Sequence, residues 1–122
     1  MSGIDLLQRA SDAQARLLRA ERCGDGLALT FDVGRITIEA GPSGTLIVEH
    51  PESREEIAGA MVSLDEEEPW WRVLGAPLTD VRWQEPDAER QLSLRFREAD
   101  DGARVVTVEW NGRAVTARLV SG

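Results

Sequence analysis

The sequence predicts an α+β protein in which an N-terminal amphipathic helix packs on a largely antiparallel, strongly bent sheet of seven or eight strands. Apolar residues recur with a helical period near the N-terminus, whereas most of the later chain alternates with the two-residue period of half-buried strands. Short Gly-containing turns separate the alternating segments, which indicates antiparallel neighbours. The 122 residues are expected to form one domain, 1–122.

The first predicted element is a helix over 4–22. Leu and Ala residues fall on one side of it at spacings of three and four, and Asp and Arg residues fall on the other side. Ser2 is a suitable N-cap. Gly24 is a suitable stop, because glycine readily adopts the left-handed conformation that ends many helices.

Alternation begins at Leu27 and predicts a three-stranded antiparallel meander over 27–50. Its two turns are expected at 32–35 and 41–44, where Gly residues are found. Pro51 ends the pairing because proline has no N–H to donate to a strand ladder.

Two interpretations are open for the stretch 51–64. Ser53 and Glu56 have capping-box spacing, which favours a helix. Gly59 and the apolar residues after it favour a loop followed by a strand near 60–64 instead. The second interpretation is the one we prefer.

A short helix is predicted over 66–74, with Asp65 as its N-cap and Gly75 as its stop. The remaining chain, 78–120, alternates again and predicts antiparallel strands. Asn111–Gly112 between the last two strands predicts a type I′ turn, in which both central residues have positive φ. The residues expected to point inward form four sets: Thr79, Val81 and Trp83; Leu92, Leu94 and Phe96; Val106, Val108 and Trp110; and Val115, Ala117 and Leu119.

The composition argues against several classes of function. All 14 positive charges are Arg, against 22 Asp and Glu, so the net charge is -8 and Lys is absent. Without Lys there is no Schiff base and no P-loop lysine. One His and one Cys cannot form a Cys/His zinc site or an internal disulfide. The acidic balance argues against nucleic-acid binding.

The same patterns bear on location and chemistry. No apolar stretch approaches the ~20 residues that span a bilayer, and no signal peptide is evident, so we expect a cytoplasmic protein without membrane association. His50 has no nucleophile motif beside it, and Cys23 lies where the predicted helix ends, which raises a thiol pKa. The consecutive acids 65–68 are poorly spaced for a divalent cation. We therefore expect no catalytic residue, no metal and no cofactor, and not an enzyme.

The most distinctive segment contains two adjacent tryptophans, Trp70 and Trp71. Adjacent residues cannot share one helix face, so one indole is predicted in the core and the other over a sheet edge or against a partner. The simplest interpretation is that both rings seal the end of a sheet; a binding surface is the alternative. The candidate binding surface comprises Trp70, Trp71, Arg72, Glu66, Glu67 and Glu68.

An alternative surface is the outward face of the C-terminal strands, where arginines alternate with core residues. These are Arg82, Arg95, Arg97 and Arg118. The simplest interpretation is a solvated face with cross-strand ion pairs, in which Arg95 or Arg97 lies opposite Glu109 and Glu109 lies near Arg118. Docking of a protein or binding of an anion are the other interpretations.

The hairpin 31–38, followed by Trp71-x-x-Leu74-Gly75-x-x-Leu78-x-x-Val81-x-Trp83, resembles small bacterial families of unknown function over about 27–97. The resemblance implies an α+β fold and a bacterial origin, with some members encoded near toxin or mobile-element genes. It implies no catalytic residue.

These patterns lead to one main hypothesis and two alternatives. The main hypothesis is a small acidic bacterial protein that binds another protein, with a basic partner favoured, as an immunity-like or accessory factor. The alternatives are a small-ligand or anion-binding domain that uses the arginine-bearing face, and a chaperone for a secreted effector, which would expose an apolar helix face. The oligomeric state is left open.

Overall fold

The computed structural model describes residues 3–41, 45–49, 61–83, 90–97 and 102–121. Within them lie one helix, α1 (Gly3–Asp12), and nine strands. The strands are β1 (Leu17–Cys23), β2 (Gly26–Phe31), β3 (Gly34–Ala40), β4 (Leu46–Glu49), β5 (Met61–Ser63), β6 (Leu78–Trp83), β7 (Gln91–Arg97), β8 (Ala103–Trp110) and β9 (Val115–Ser121).

The strands form two antiparallel sheets. One has five strands in the order β4-β3-β2-β1-β5, and the other has four in the order β6-β7-β8-β9. The α+β prediction is therefore confirmed in its coarse form. The predicted single bent sheet of seven or eight strands is wrong, because the strands are divided between two sheets. The residues of β1 were also predicted to be helical, so this strand is an addition to the predicted set.

The two sheets and α1 contribute to one hydrophobic core. Leu7 of α1, Phe31 of β2 and Phe96 of β7 are all almost completely buried in it. The Gln8 side-chain amide of α1 donates to the Val81 carbonyl of β6 over 2.8 Å. The sheets are also joined by a backbone hydrogen bond of 2.8 Å from the Leu78 N–H to the Ala15 carbonyl. The faces of the two sheets that point toward this core, called the inner faces below, therefore pack together in a single core.

The predicted helix over 4–22 is wrong in its second half, because α1 ends at Asp12. Gln14 has a φ of 50° and donates to the Ser11 carbonyl, while the Ala15 N–H donates to the Ala10 carbonyl over 2.8 Å. This pair of bonds is a Schellman motif, which is usually completed by Gly at the left-handed position. Since Gln occupies that position here, no stop signal is visible in the sequence.

Strand β1 replaces the rest of the predicted helix. A β-bulge between Leu17 and Arg19 shifts the register of pairing with β2. As a result Leu17 and Ala20, three residues apart, both lie in the core. Cys23 is buried on the opposite face of the strand, so the buried residues of β1 recur at intervals of three, a spacing that mimics an apolar helix stripe. Gly24, predicted to stop the helix, has a φ of 60° in the turn between β1 and β2.

The predicted meander is confirmed as β2, β3 and β4, which pair in register as neighbours. Gly26 of β2 needs to be glycine, because a Cβ atom there would lie 2.7 Å from the Ile38 carbonyl oxygen. The strand expected near 60–64 is confirmed as β5, which pairs with β1. Ser2 and 50–60, with the capping-box alternative, lie outside the described residues.

The inward sets of the last four strands are confirmed except at Thr79. A bulge between Leu78 and Asp80 turns Leu78 inward instead, and the Thr79 hydroxyl donates to the Arg95 carbonyl over 3.2 Å. The β8–β9 hairpin is confirmed, but its type I′ turn is wrong. The Asn111 side-chain oxygen accepts the N–H groups of Arg113 and Ala114 at 2.8 and 2.9 Å, so the loop spans four residues, 111–114.

Candidate functional site

The segment Glu66–Arg72, called the tryptophan turn below, places its two indoles in opposite environments. Trp70 is 2% exposed and belongs to the core, whereas Trp71 is 49% exposed. The turn is closed by the bond from the Trp71 N–H to the Glu67 carbonyl and by the bond from the Arg72 N–H to the Pro69 carbonyl, both of 3.1 Å. The prediction that one tryptophan lies in the core is confirmed, and contact of the other with a partner stays a prediction.

The helix predicted over 66–74 is reduced to a single 3₁₀ turn, Trp70–Arg72. Asp65 does not cap it, which corrects that prediction. Its Oδ1 atom instead accepts the backbone N–H of Ala20 over 2.8 Å, while the Leu64 N–H donates to the Ala20 carbonyl over 2.8 Å. Because Ala20 is fully buried, its amide needs an acceptor, and Asp65 supplies one beyond the end of β5.

Trp71 is held by its neighbours. The Arg72 guanidinium lies 4.4 Å from the centre of the Trp71 ring, a cation–π distance. The same guanidinium contacts both carboxylate oxygens of Glu68, with Nε–oxygen distances of 2.9 and 2.8 Å and an Nη2–oxygen distance of 2.8 Å. Bidentate pairs of this kind fix orientation as well as adding attraction. The outward indole therefore has a defined position.

The pKa of the Glu68 carboxyl lies below its ordinary value of 4.5. The main cause is the hydrogen bonding from Arg72; the charges of Arg72 and Arg104 and the Trp71 side chain act in the same direction, while desolvation opposes them. A lowered folded-state pKa means that the pair is formed at neutral pH and weakens only as the pH falls through that lowered value. The Glu68 carboxylate is therefore ionised at neutral pH and its ion pair with Arg72 is formed.

The second candidate surface is an open groove on the outer face of the four-stranded sheet. This arginine groove has a volume of about 470 Å³ and is lined by Thr79, Asp80, Arg82, Arg95, Arg97, Gly102 and Ala103. It contains three of the four arginines predicted for the alternative site. Arg118 is on the same face but pairs with Glu109 over 3.3 Å, outside the groove.

The register explains which arginines meet. Arg95 lies opposite Asp80 on β6 and Val105 on β8, while Arg97 lies opposite Ala103. The predicted pairing of Arg95 or Arg97 with Glu109 is therefore wrong, because Glu109 is opposite Gln91 and accepts its amide over 2.8 Å. The predicted proximity of Glu109 and Arg118 is confirmed.

Among the lining residues that the structure describes, the one carboxylate is already paired. Asp80 accepts the Arg82 guanidinium over 2.8 Å and the backbone N–H of Val81 over 3.0 Å. Neither Arg95 nor Arg97 forms an ion pair with any residue that the structure describes. Both guanidinium groups are exposed, so their donors face the groove or solvent.

The residues considered as catalytic or metal-binding candidates do not form a site in the described part of the chain. Cys23 is buried near the end of β1, and its pKa is raised first by desolvation, then by the charges of Glu39 and Glu21, with Arg35 opposing. The predicted cause, a helix end, is wrong because no helix ends there. His50 lies outside the described residues. Among the residues that are described, no group of three or more His, Cys, Asp and Glu could hold a metal ion.

Two further observations concern the other hypotheses. The apolar side chains Leu7 and Ala10 of α1 are buried, so they do not provide the exposed helix face that the chaperone hypothesis expects. In the part of the chain that the structure describes, no helix is both long and apolar enough to cross a membrane.

Comparison of the chain with protein-family models, with curated proteins and with solved structures finds no match. The resemblance to small bacterial families of unknown function therefore stays a prediction, and the function has to be argued from the two surfaces themselves.

Sequence reasoning missed two parts of these surfaces. Asp80 was not among the candidate residues, although Asp and Arg at positions i and i+2 of a strand point to the same side. Gly102 and Ala103 line the groove, and since glycine has no side chain and alanine only a methyl group, they fill little of its space. Their position across from Arg97 follows from the β7–β8 register, which the sequence alone does not specify.

Proposed function

We propose that this chain is a protein-binding domain that captures a basic partner through the tryptophan turn, as an immunity-like or accessory factor. The observation that supports the proposal best is the half-exposed Trp71, which is held against Arg72 while Trp70 anchors the turn in the core. Tryptophan and arginine are among the residues most enriched at binding hot spots.

The geometry favours binding because it limits the entropy that association would cost. Ordering a flexible side chain at an interface costs about 0.5–1.5 kcal/mol. Trp71 is already stacked under Arg72, which is itself in bidentate contact with Glu68. A partner that receives the indole therefore meets a surface that is largely in its bound conformation.

Charge indicates the chemistry of the partner. Glu66 and Glu67 are exposed beside Trp71, and the whole chain has a net charge of -8. Acidic surfaces accelerate association with basic proteins by electrostatic steering, and salt screens this effect. The partner we propose has a basic rim around an apolar pocket for one indole.

The experiment is affinity capture from the native cell, followed by measurement of the dissociation constant with the purified partner. Trp71→Ala should weaken binding by about 2 kcal/mol or more, which is about thirtyfold. Its folding stability should change by about 1 kcal/mol or less, because the side chain is half-exposed. Val33→Ala is the matched control, since Val33 is 60% exposed but lies in the turn between β2 and β3.

A second arm tests the role of charge. The double variant Glu66→Gln with Glu67→Gln should slow association at low ionic strength and have little effect at high ionic strength. The double variant Asp5→Asn with Asp12→Asn removes the same charge from exposed positions of α1 and should slow association less. If the purified partner binds Trp71→Ala as tightly as the unaltered protein, the tryptophan turn is not the binding surface.

A further inference from the structure

The arginine groove combines three features that a solvated strand face does not need. Arg95 and Arg97 project from alternate positions of β7, about 7 Å apart along the strand. Ala103, directly opposite Arg97, and its neighbour Gly102 leave open space beside these guanidinium groups. The resulting volume of about 470 Å³ is within the range of small-molecule sites, about 300–1,000 Å³.

The charge of the groove opposes that of the whole protein. Among the lining residues that the structure describes, three guanidinium groups against one carboxylate leave a formal charge of +2, whereas the chain has a net charge of -8. Asp80 is bound to Arg82 and to the Val81 N–H, so it does not neutralise Arg95 or Arg97 by direct contact. The groove therefore offers two guanidinium forks to a ligand.

We propose that the arginine groove binds a small dianionic oxyanion, such as a phosphate monoester or a dicarboxylate. Guanidinium groups recognise phosphate and carboxylate oxygens by parallel pairs of hydrogen bonds, and a dianion matches the local charge of +2. The groove is lined mainly by polar and charged side chains, which disfavours an apolar ligand.

The same charges argue for a small ligand over a polyanion. The negative charge of the molecule acts over about 8–10 Å at physiological ionic strength, so it repels the distal charges of a nucleic acid or a polyphosphate. A small dianion seated between Arg95 and Arg97 interacts mainly with the groove itself. This site is separate from the tryptophan turn and goes beyond the proposed protein binding.

Calorimetric titration tests the proposal with three dianions: inorganic phosphate, phenyl phosphate and succinate. Acetate serves as the monoanion and an oligonucleotide as the polyanion. At low ionic strength the dianions should bind and should raise the Tm progressively as their concentration exceeds the dissociation constant, while acetate should bind more weakly. A preference for phosphates or for succinate identifies the head group, and either preference supports a dianion site.

Variants locate the binding. Arg95→Gln and Arg97→Gln should each weaken dianion binding about tenfold or more, since each removes charge-assisted hydrogen bonds. Arg95→Lys keeps the charge but loses the fork and should also weaken binding. Arg113→Gln is the matched control, because Arg113 is exposed in the β8–β9 loop outside the groove, and it should bind dianions nearly as the unaltered protein does.

Three results would overturn the proposal. They are absence of binding by all three dianions, an equal loss in Arg113→Gln and Arg95→Gln, and tighter binding of the oligonucleotide than of phenyl phosphate. Thermal unfolding of each variant shows whether it is folded, which these exposed positions should permit. Trp71→Ala should leave dianion binding unchanged, so failure of this proposal can be distinguished from failure of the proposed protein binding.

Discussion

The outer faces of the two sheets are built differently. On the five-stranded sheet, Cys23, Ala28 and Thr37 point away from the shared core, yet all three are buried. On the four-stranded sheet, Thr107 is also buried at an outward position, but the outward Arg82 and Arg95 are exposed. Both sheets are antiparallel and both contribute to the same core, so the difference concerns the residues of the outer faces.

The comparison shows when alternation reveals the inside of a sheet. Strand β7 alternates between buried and more exposed residues along its whole length, because only one of its faces is in the core. Strand β2 is buried at five of its six positions, so both of its faces are enclosed. Alternation of apolar and polar residues therefore identifies the inward residues of β7 directly. In β2, where residues on both faces are buried, alternation is weaker evidence for which residues point inward.

The largest expected effect comes from the shared core. Phe31→Ala and Phe96→Ala each remove a buried ring, one from each sheet, and each should lower the free energy of unfolding by about 3–5 kcal/mol. Urea unfolding should be followed in a Trp70→Phe, Trp71→Phe background by tryptophan fluorescence, which then reports on Trp83 and Trp110 of the four-stranded sheet. Exposure of the Cys23 thiol reports on the five-stranded sheet.

If the inner faces form one unit, the two probes should give coincident transitions in both variants. Loss of one sheet at a lower urea concentration than the other would show that the sheets are stabilised separately. In that case each phenylalanine would stabilise mainly its own sheet.

The limits of prediction from sequence have particular physical causes in the first 23 residues. The Schellman motif at the end of α1 uses Gln14, where a sequence signal would need Gly or Asn. The β1 bulge then spaces buried residues as a helix would. The bulge is also held by tertiary contacts: Leu17 donates to Ala76 and accepts from Gly75, which lie far along the chain.

An intermediate effect should distinguish the outer faces. Ala28→Leu adds a large side chain where Ala28 is fully buried, and it should cost about 1–3 kcal/mol through overpacking. Arg95→Leu places the same side chain on the exposed outer face of the other sheet, and its effect should be within about 0.5 kcal/mol. Urea midpoints at constant m-value measure both changes. Equal losses would mean that the two outer faces are equally enclosed.

The candidate surfaces were predictable to different degrees. The opposite environments of Trp70 and Trp71 follow from adjacency alone, because neighbouring residues in a turn cannot point the same way. The arginine groove needs the register that brings Ala103 opposite Arg97, and the sequence does not specify that register. A surface within one short segment can be recognised in a sequence, whereas a surface between strands depends on pairing.

The smallest effect concerns Cys23 on the buried outer face. Its raised pKa, caused first by desolvation and then by Glu39, predicts slow alkylation by iodoacetamide at pH 8, because the thiolate is the reactive form. Since the folded state favours the protonated thiol, its contribution to stability is present below the ordinary value of 9.0 and is lost as the pH rises through the raised value. Alkylation rates measured against pH should have a midpoint above that of the urea-unfolded chain.

A variant separates charge from simple inaccessibility. Glu39→Gln removes a negative charge that raises the Cys23 pKa, so it should move the midpoint to lower pH, whereas reduced access alone would slow the reaction without moving the midpoint. Glu109→Gln makes the same change on the outer face of the other sheet and should leave the midpoint where it is. If neither variant moves the midpoint, burial alone accounts for the low reactivity of Cys23. The charge of Glu39 would then have no measurable effect on the thiol.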